Sequence, residues 1–240
     1  MVIRPRLMIC CALLSLAGLA TTASAQSSDR AKLESEIRSL HDQISEKEDI
    51  FLRPSVQDEK RYQQFLLQPQ TGLCRLLPRE KYEKLLVLRS GGSNYSFVRL
   101  THEYGYGSEI GLEQGRLYAS FGGANLGLIT SVGDLPIESI DLRHPAAEFL
   151  AGYVAPSVER EARAEYTRIN NGLSGGGDYI FYRTVPAELN NTYVMRAIEY
   201  GESDVLVAFR IVSQDSDGSI TLAWRILQKF QTPELVRSEP

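Results

Sequence analysis

Between Thr192 and Phe230 the chain reads TYVMRAIEY, GES, DVLVAFRIVSQ, DSDG, SITLAWRILQKF. Three runs of β-branched, aromatic and aliphatic residues, free of proline and glycine inside, are separated by two short clusters of turn formers. That grammar predicts an antiparallel three-strand meander. With three residues in the first loop, alternation sends Tyr193, Met195, Ala197, Val205, Val207, Phe209, Ile211, Ile220, Leu222, Trp224 and Ile226 to one face, which reads as a core. The other face receives Val194, Ile198, Leu206, Ala208, Val212, Ala223 and Leu227, together with Arg196, Arg210 and Arg225.

A ribbon of this kind needs a partner layer, and the preceding sequence offers more strands. KLLVLRSGGSNYSFVRLTHEY reads as two strands around Gly91 and Gly92, EIGLEQGRLYASF as a pair turning at Gln114 and Gly115, NLGLITSVG as a short strand, and DYIFYRTV as another. HPAAEFLAG and PSVEREARAEYTR read as helices, the first with Pro145 at an opening helical position. NNGLSGGG reads as a loop. The fold class expected is therefore α+β, mostly β, with antiparallel sheets in a globular region over residues 71–235.

The beginning of the chain differs. MVIRPR carries two arginines and no acid, an apolar run follows, and ASA precedes Gln26, which together fit a secretory signal over 1–25 cleaved after Ala25. The run is shorter than the ~20 apolar residues of a membrane span, so the cleaved product is expected not to be membrane-integral and to work in a periplasmic or extracellular space. Cleavage leaves Cys74 as the sole cysteine, so no internal disulfide is available and packing must hold the core. It also leaves 24 of the 26 basic side chains against 30 acidic ones. An acidic protein of this kind is not suited to nucleic acid, whose binding depends on neutralising phosphates.

Residues 26–70 form a helical segment. Leu33, Ile37, Leu40 and Ile44 recur at steps of four, three and four, a narrow seam that suits two helices wound together and predicts a homo-oligomer through residues 29–51. Pro54 ends that helix, and Ser55 with Asp58 marks the start of a second.

Candidate sites are few. Arg196, Arg210 and Arg225 share a face on strands about 4.8 Å apart, so their guanidinium groups are candidates to converge on an anionic small ligand or protein group. THEYGYGSE places His102, Glu103, Tyr104 and Tyr106 together. In an extended strand His102 and Glu103 point to opposite faces, so a hydrolase using His102 requires another carboxylate brought near by folding, such as Glu113 or Asp134. Tyr104 and Tyr106 straddle Gly105 and offer rings on which a ligand can stack. Gly172 to Gly176 spell G-x-S-x-G, but a polar helix precedes and glycines follow, which is the wrong setting for a nucleophile elbow at Ser174. Asp215, Asp217 and Gly218 lack the remaining ligands of a calcium loop. No histidine has another within metal-ligand spacing, and no metal or cofactor is indicated. The residues read best as an exported, non-enzymatic ligand-binding or protein-interaction domain, with the His102 hydrolase and an oligomeric scaffold as alternatives.

Overall fold

The structure, a computed structural model, describes residues 10–102 and 107–236, with side chains described from residue 29 onward. The chain divides into two units at Lys47/Glu48. In the first, helix α1 (Cys10–Leu52) runs up to and across the boundary, so the export signal read in residues 1–25 falls partly outside the described residues and partly on helical backbone. Leu33, Ile37, Leu40 and Ile44 lie along it 58, 53, 57 and 38% exposed. Among the described residues no helix is long and apolar enough to cross a membrane.

The second unit opens with the last turn of α1, held within it by two contacts. The buried Glu48 carboxylate accepts from the backbone N–H of Val87 (2.5 Å) and Leu88 (3.2 Å). Leu52 is buried against Gly92. Pro54 stops the helix because it cannot donate to the ladder. Ser55 then caps α2 (Val56–Arg61), its hydroxyl accepting from Asp58 N–H at 3.0 Å.

Eleven strands follow among the described residues: β1 (Thr71–Leu76), β2 (Asn94–Tyr95), β3 (Ile110–Glu113), β4 (Arg116–Ala119), β5 (Leu126–Gly133), β6 (Leu173–Gly175), β7 (Tyr179–Phe181), β8 (Thr184–Pro186), β9 (Thr192–Glu199), β10 (Ser203–Gln214) and β11 (Ile220–Lys229). β9, β10 and β11 are the expected meander, with Tyr200, Gly201 and Glu202 as its first loop. They form the centre of a five-stranded antiparallel sheet ordered β1-β11-β10-β9-β5. β2-β3-β4-β8 make a second antiparallel sheet, and β6-β7 a small hairpin.

All eleven residues assigned by alternation to the core face lie in one cluster, packed against Tyr95, Phe97, Ile110, Leu112, Leu117 and Val185 of the second sheet and its flanks. The opposite face is buried too. Val194, Ile198, Leu206, Ala208, Val212 and Ala223 pack under α4 (Pro145–Gly152), α5 (Glu159–Asn170), the β6-β7 hairpin and a 3-10 turn at Ile137–Ser139. Three layers result, with the meander in the middle. α4 begins where Pro145 presets the first helical φ and the His144 ring nitrogen Nδ1 accepts from Ala146 N–H at 3.3 Å.

Three strand expectations are corrected. Lys84 to Ser90 is not a strand: α3 (Arg79–Tyr82) leads through turns into a 3-10 segment at Arg89–Gly92, and among the described residues of the expected pair only Asn94–Tyr95 pairs in a sheet. Ser90 and Gly91 have φ of 56° and 58°, which no strand tolerates. DYIFYRTV is split, Tyr179–Phe181 pairing with β6 and Thr184–Pro186 with β4. NNGLSGGG is not all loop, since Leu173–Gly175 is β6.

Candidate functional site

The three arginines of the meander occupy one face, as alternation requires, but do not converge. Arg196 lies opposite Leu206, Arg225 opposite Ala208 and Arg210 opposite Thr192, three successive same-face levels about 7 Å apart along the strands. Arg196 is buried and fully engaged. Its Nε and Nη2 donate to the two oxygens of Asp204 at 2.8 Å each, and Nη1 donates to the carbonyls of Leu150 and Tyr153 at 2.7 Å. The Phe230 ring lies 3.7 Å below it. Arg210 donates to Asp134 at 2.6 Å and to the Leu135 carbonyl at 2.8 Å. Arg225 is half-buried, and its charge acts on Asp141. Among the described residues the helical layer covers this face and supplies the carbonyls that Arg196 caps.

His102 is held against the sheet. Its Nε2 is 2.7 Å from the Arg75 carbonyl, so that nitrogen carries the proton and donates it, and the ring meets Tyr95 edge-on at 4.9 Å. Burial pushes its pKa below the ordinary histidine value. Among the described residues no carboxylate hydrogen-bonds it. Of the carboxylates considered for it, Asp134 is engaged by Arg210, and Glu113 lies 3.9 Å from Arg79. Glu103, Tyr104 and Tyr106 lie outside the described residues. Ser174 sits in the β6-β7 hairpin with no histidine beside it in the register.

The polar feature that sequence reasoning missed is a pair of interior glutamates at one rim of the sandwich. Glu109, just before β3, and Glu199, at the end of β9, are both fully shielded from solvent. Glu109 accepts from the N–H of Phe97 (2.7 Å), the Ser203 hydroxyl (2.9 Å) and the Ser96 hydroxyl (3.3 Å). Glu199 accepts from Phe121 N–H (3.2 Å), the Ser120 hydroxyl and the Asn125 amide. Burial pushes Glu109 above the usual carboxylate range. It pushes Glu199 up to about 8, with the Glu109 and Glu202 charges adding in the same direction. Near neutral pH, then, Glu199 holds its proton. Neither carboxyl reaches solvent, so the cluster can register pH but presents nothing to a substrate.

No metal-binding group of three or more histidine, cysteine or acidic side chains exists among the described residues. Cys74 is buried on β1, and burial raises its thiol pKa well above the ordinary value, which keeps it protonated and inert. Comparison with protein families, with characterised proteins and with solved structures finds no match to this chain.

Proposed function

We propose that this is an exported, non-enzymatic interaction protein whose N-terminal helix joins it to a second copy of the same chain. The observation that carries the reading is the exposed seam of α1. Four aliphatic side chains at coiled-coil spacing, between 38 and 58% exposed, make an apolar stripe on a helix otherwise rich in charge. A stripe of that kind is stabilised when a like helix covers it. Isoleucine at Ile37 and Ile44 with leucine at Leu33 and Leu40 is the a/d arrangement that favours two parallel strands. Two heptads give a weak interaction, so the association is reversible and concentration-dependent. Export follows from the basic, apolar and small-residue order of the first 25 residues, and the single buried cysteine suits an oxidising space because it offers no thiol for unwanted bridging.

The test is the oligomeric state of the full chain beside an Ile37→Glu/Leu40→Glu variant. Both side chains are more than half exposed, so the globular unit keeps its circular dichroism spectrum and melting temperature. Sedimentation equilibrium is expected to show a monomer–dimer equilibrium for the parent and a monomer for the variant. A parent that stays monomeric at every accessible concentration removes the reading. Intact mass of the protein recovered from an exporting host checks the other half: the chain should begin at Gln26.

A further inference from the structure

Where the Pro54 turn, α2 and the β10-β11 hairpin meet, the second unit opens a cleft of about 500 Å³. Arg53, Arg61 and Arg75 line it, with the carboxylates of Asp58 and Asp215 and the hydroxyl of Ser213. The acids do not use up the bases. Asp58 is buried and occupied by its neighbours: Ser55 and Ser213 donate hydroxyls to its Oδ2 at 2.8 and 2.9 Å. Arg75 is the fixed floor, stacked 5.4 Å from the Phe51 ring centre and donating Nη1 to the Phe51 carbonyl at 2.6 Å. Its other terminal nitrogen, Nη2, donates to Asp215 at 2.6 Å. Arg53 and Arg61 are exposed, and neither makes an ion pair among the described residues.

Asp215 shows what this cleft recognises. Its side chain is half exposed at the tip of a hairpin turn, and it places one carboxylate oxygen on Arg75, with Arg53 and Arg61 lining the same cavity and the Arg61 guanidinium 5.9 Å from the Tyr62 ring centre. An oxygen anion arriving from solution competes with that tethered carboxylate. A singly charged one replaces like with like and loses, because Asp215 is already held close by the chain. A doubly charged oxyanion engages Arg75 and the two open arginines together and gains what Asp215 cannot supply. We infer that the Arg53/Arg61/Arg75 cleft binds a doubly charged oxyanion of the phosphate type, with Asp215 as its built-in competitor. This site is independent of the helix seam and of the oligomeric state.

Calorimetric titration of the full chain at low ionic strength and about pH 7.5, where a phosphate group is largely doubly charged, tests it. The probes are inorganic phosphate, glycerol phosphate and acetate. Saturable binding of both phosphates with none of acetate is expected, each of Arg53→Gln and Arg61→Gln weakening it roughly tenfold. Asp215→Asn is expected to tighten it several-fold. Arg143→Gln, on an exposed arginine outside the cleft, should leave it unchanged. Tighter binding of glycerol phosphate than of inorganic phosphate indicates a phosphate carried on a larger molecule, and equal binding indicates the free oxyanion. Acetate binding as well as phosphate, or phosphate binding untouched by the Arg53 and Arg61 changes, or no saturable heat at all, overturns the inference.

Discussion

Arg196 on β9 and Asp204 on β10 meet through two parallel N–H···O bonds of 2.8 Å, with their side chains only 6 and 3% exposed. The same guanidinium caps the carbonyls of Leu150 and Tyr153 at the end of α4. One side chain thus ties the middle sheet to its helical layer and answers helix-end carbonyls that would otherwise lack donors.

Arg196→Met leaves Asp204 as an uncompensated buried charge and strips α4 of its cap. A loss of about 3–5 kcal/mol is expected, read as a lower urea midpoint at unchanged m-value. Replacing the pair together, as Arg196→Met/Asp204→Leu, should recover much of that loss, because the desolvation penalty disappears with the charges. A double variant as unstable as the single one would show that the α4 cap, not the ion pair, carries the effect.

The contribution of Glu199 to stability should fall as pH rises. Glu199 has its folded pKa raised from 4.5 to about 8, so the stabilisation it gives is complete below about 4.5 and is lost as pH climbs through about 8. Denaturant melts at pH 5, 7 and 9 are expected to show the decline, and Glu199→Gln should flatten it. Glu109→Gln should move the midpoint of the remaining dependence down, since one of the charges holding Glu199 protonated is gone.

Gly127 on β5 passes the end of β4 so closely that a Cβ there would fall 2.0 Å from the Ala119 carbonyl oxygen. Backbone cannot yield as a side chain can. Gly127→Ala is expected to cost at least about 1–3 kcal/mol by forcing the two sheets apart, seen as a lower melting temperature. A neutral outcome would mean that the sheets are not in contact there.

Cys74 should be silent to thiol reagents. With Cys10 and Cys11 changed to serine to remove the other thiols, a disulfide reagent is expected to react with the native protein only at the rate of global unfolding and at once in denaturant. Rapid native reaction would place β1 at the surface instead of in the sandwich.

Much of the fold is legible in residue order. The meander, the Gln114-Gly115 hairpin, the Ser55 cap and the Pro145 helix start all rest on local chemistry, and local chemistry is what adjacency records. Gln114 and Gly115 take φ of 50° and 69°, which that turn demands. The failures fall where distant contacts decide. KLLVL has the apolar content of a strand, yet Leu85 and Val87 are exposed and the segment coils, because Glu48 takes the Val87 and Leu88 N–H groups that a sheet would need. DYIFYRTV is one apolar run divided between two sheets.

Residue order gives the shared face of the three arginines but not the neighbours each one meets. Alternation puts Asp204 on the same face as Arg196, one diagonal step across the three-residue turn, so their pairing was implicit in the register. What residue order did not show was the helical layer that buries them. Glu109 and Glu199 left no trace at all, since a glutamate beside a glycine- and serine-rich turn reads as solvated.

Among the described residues the central sheet is clad on both faces. What the described residues of this unit leave open lies at its margins, on hairpin tips and strand rims. Substitution at those margins leaves the doubly covered interior as it is.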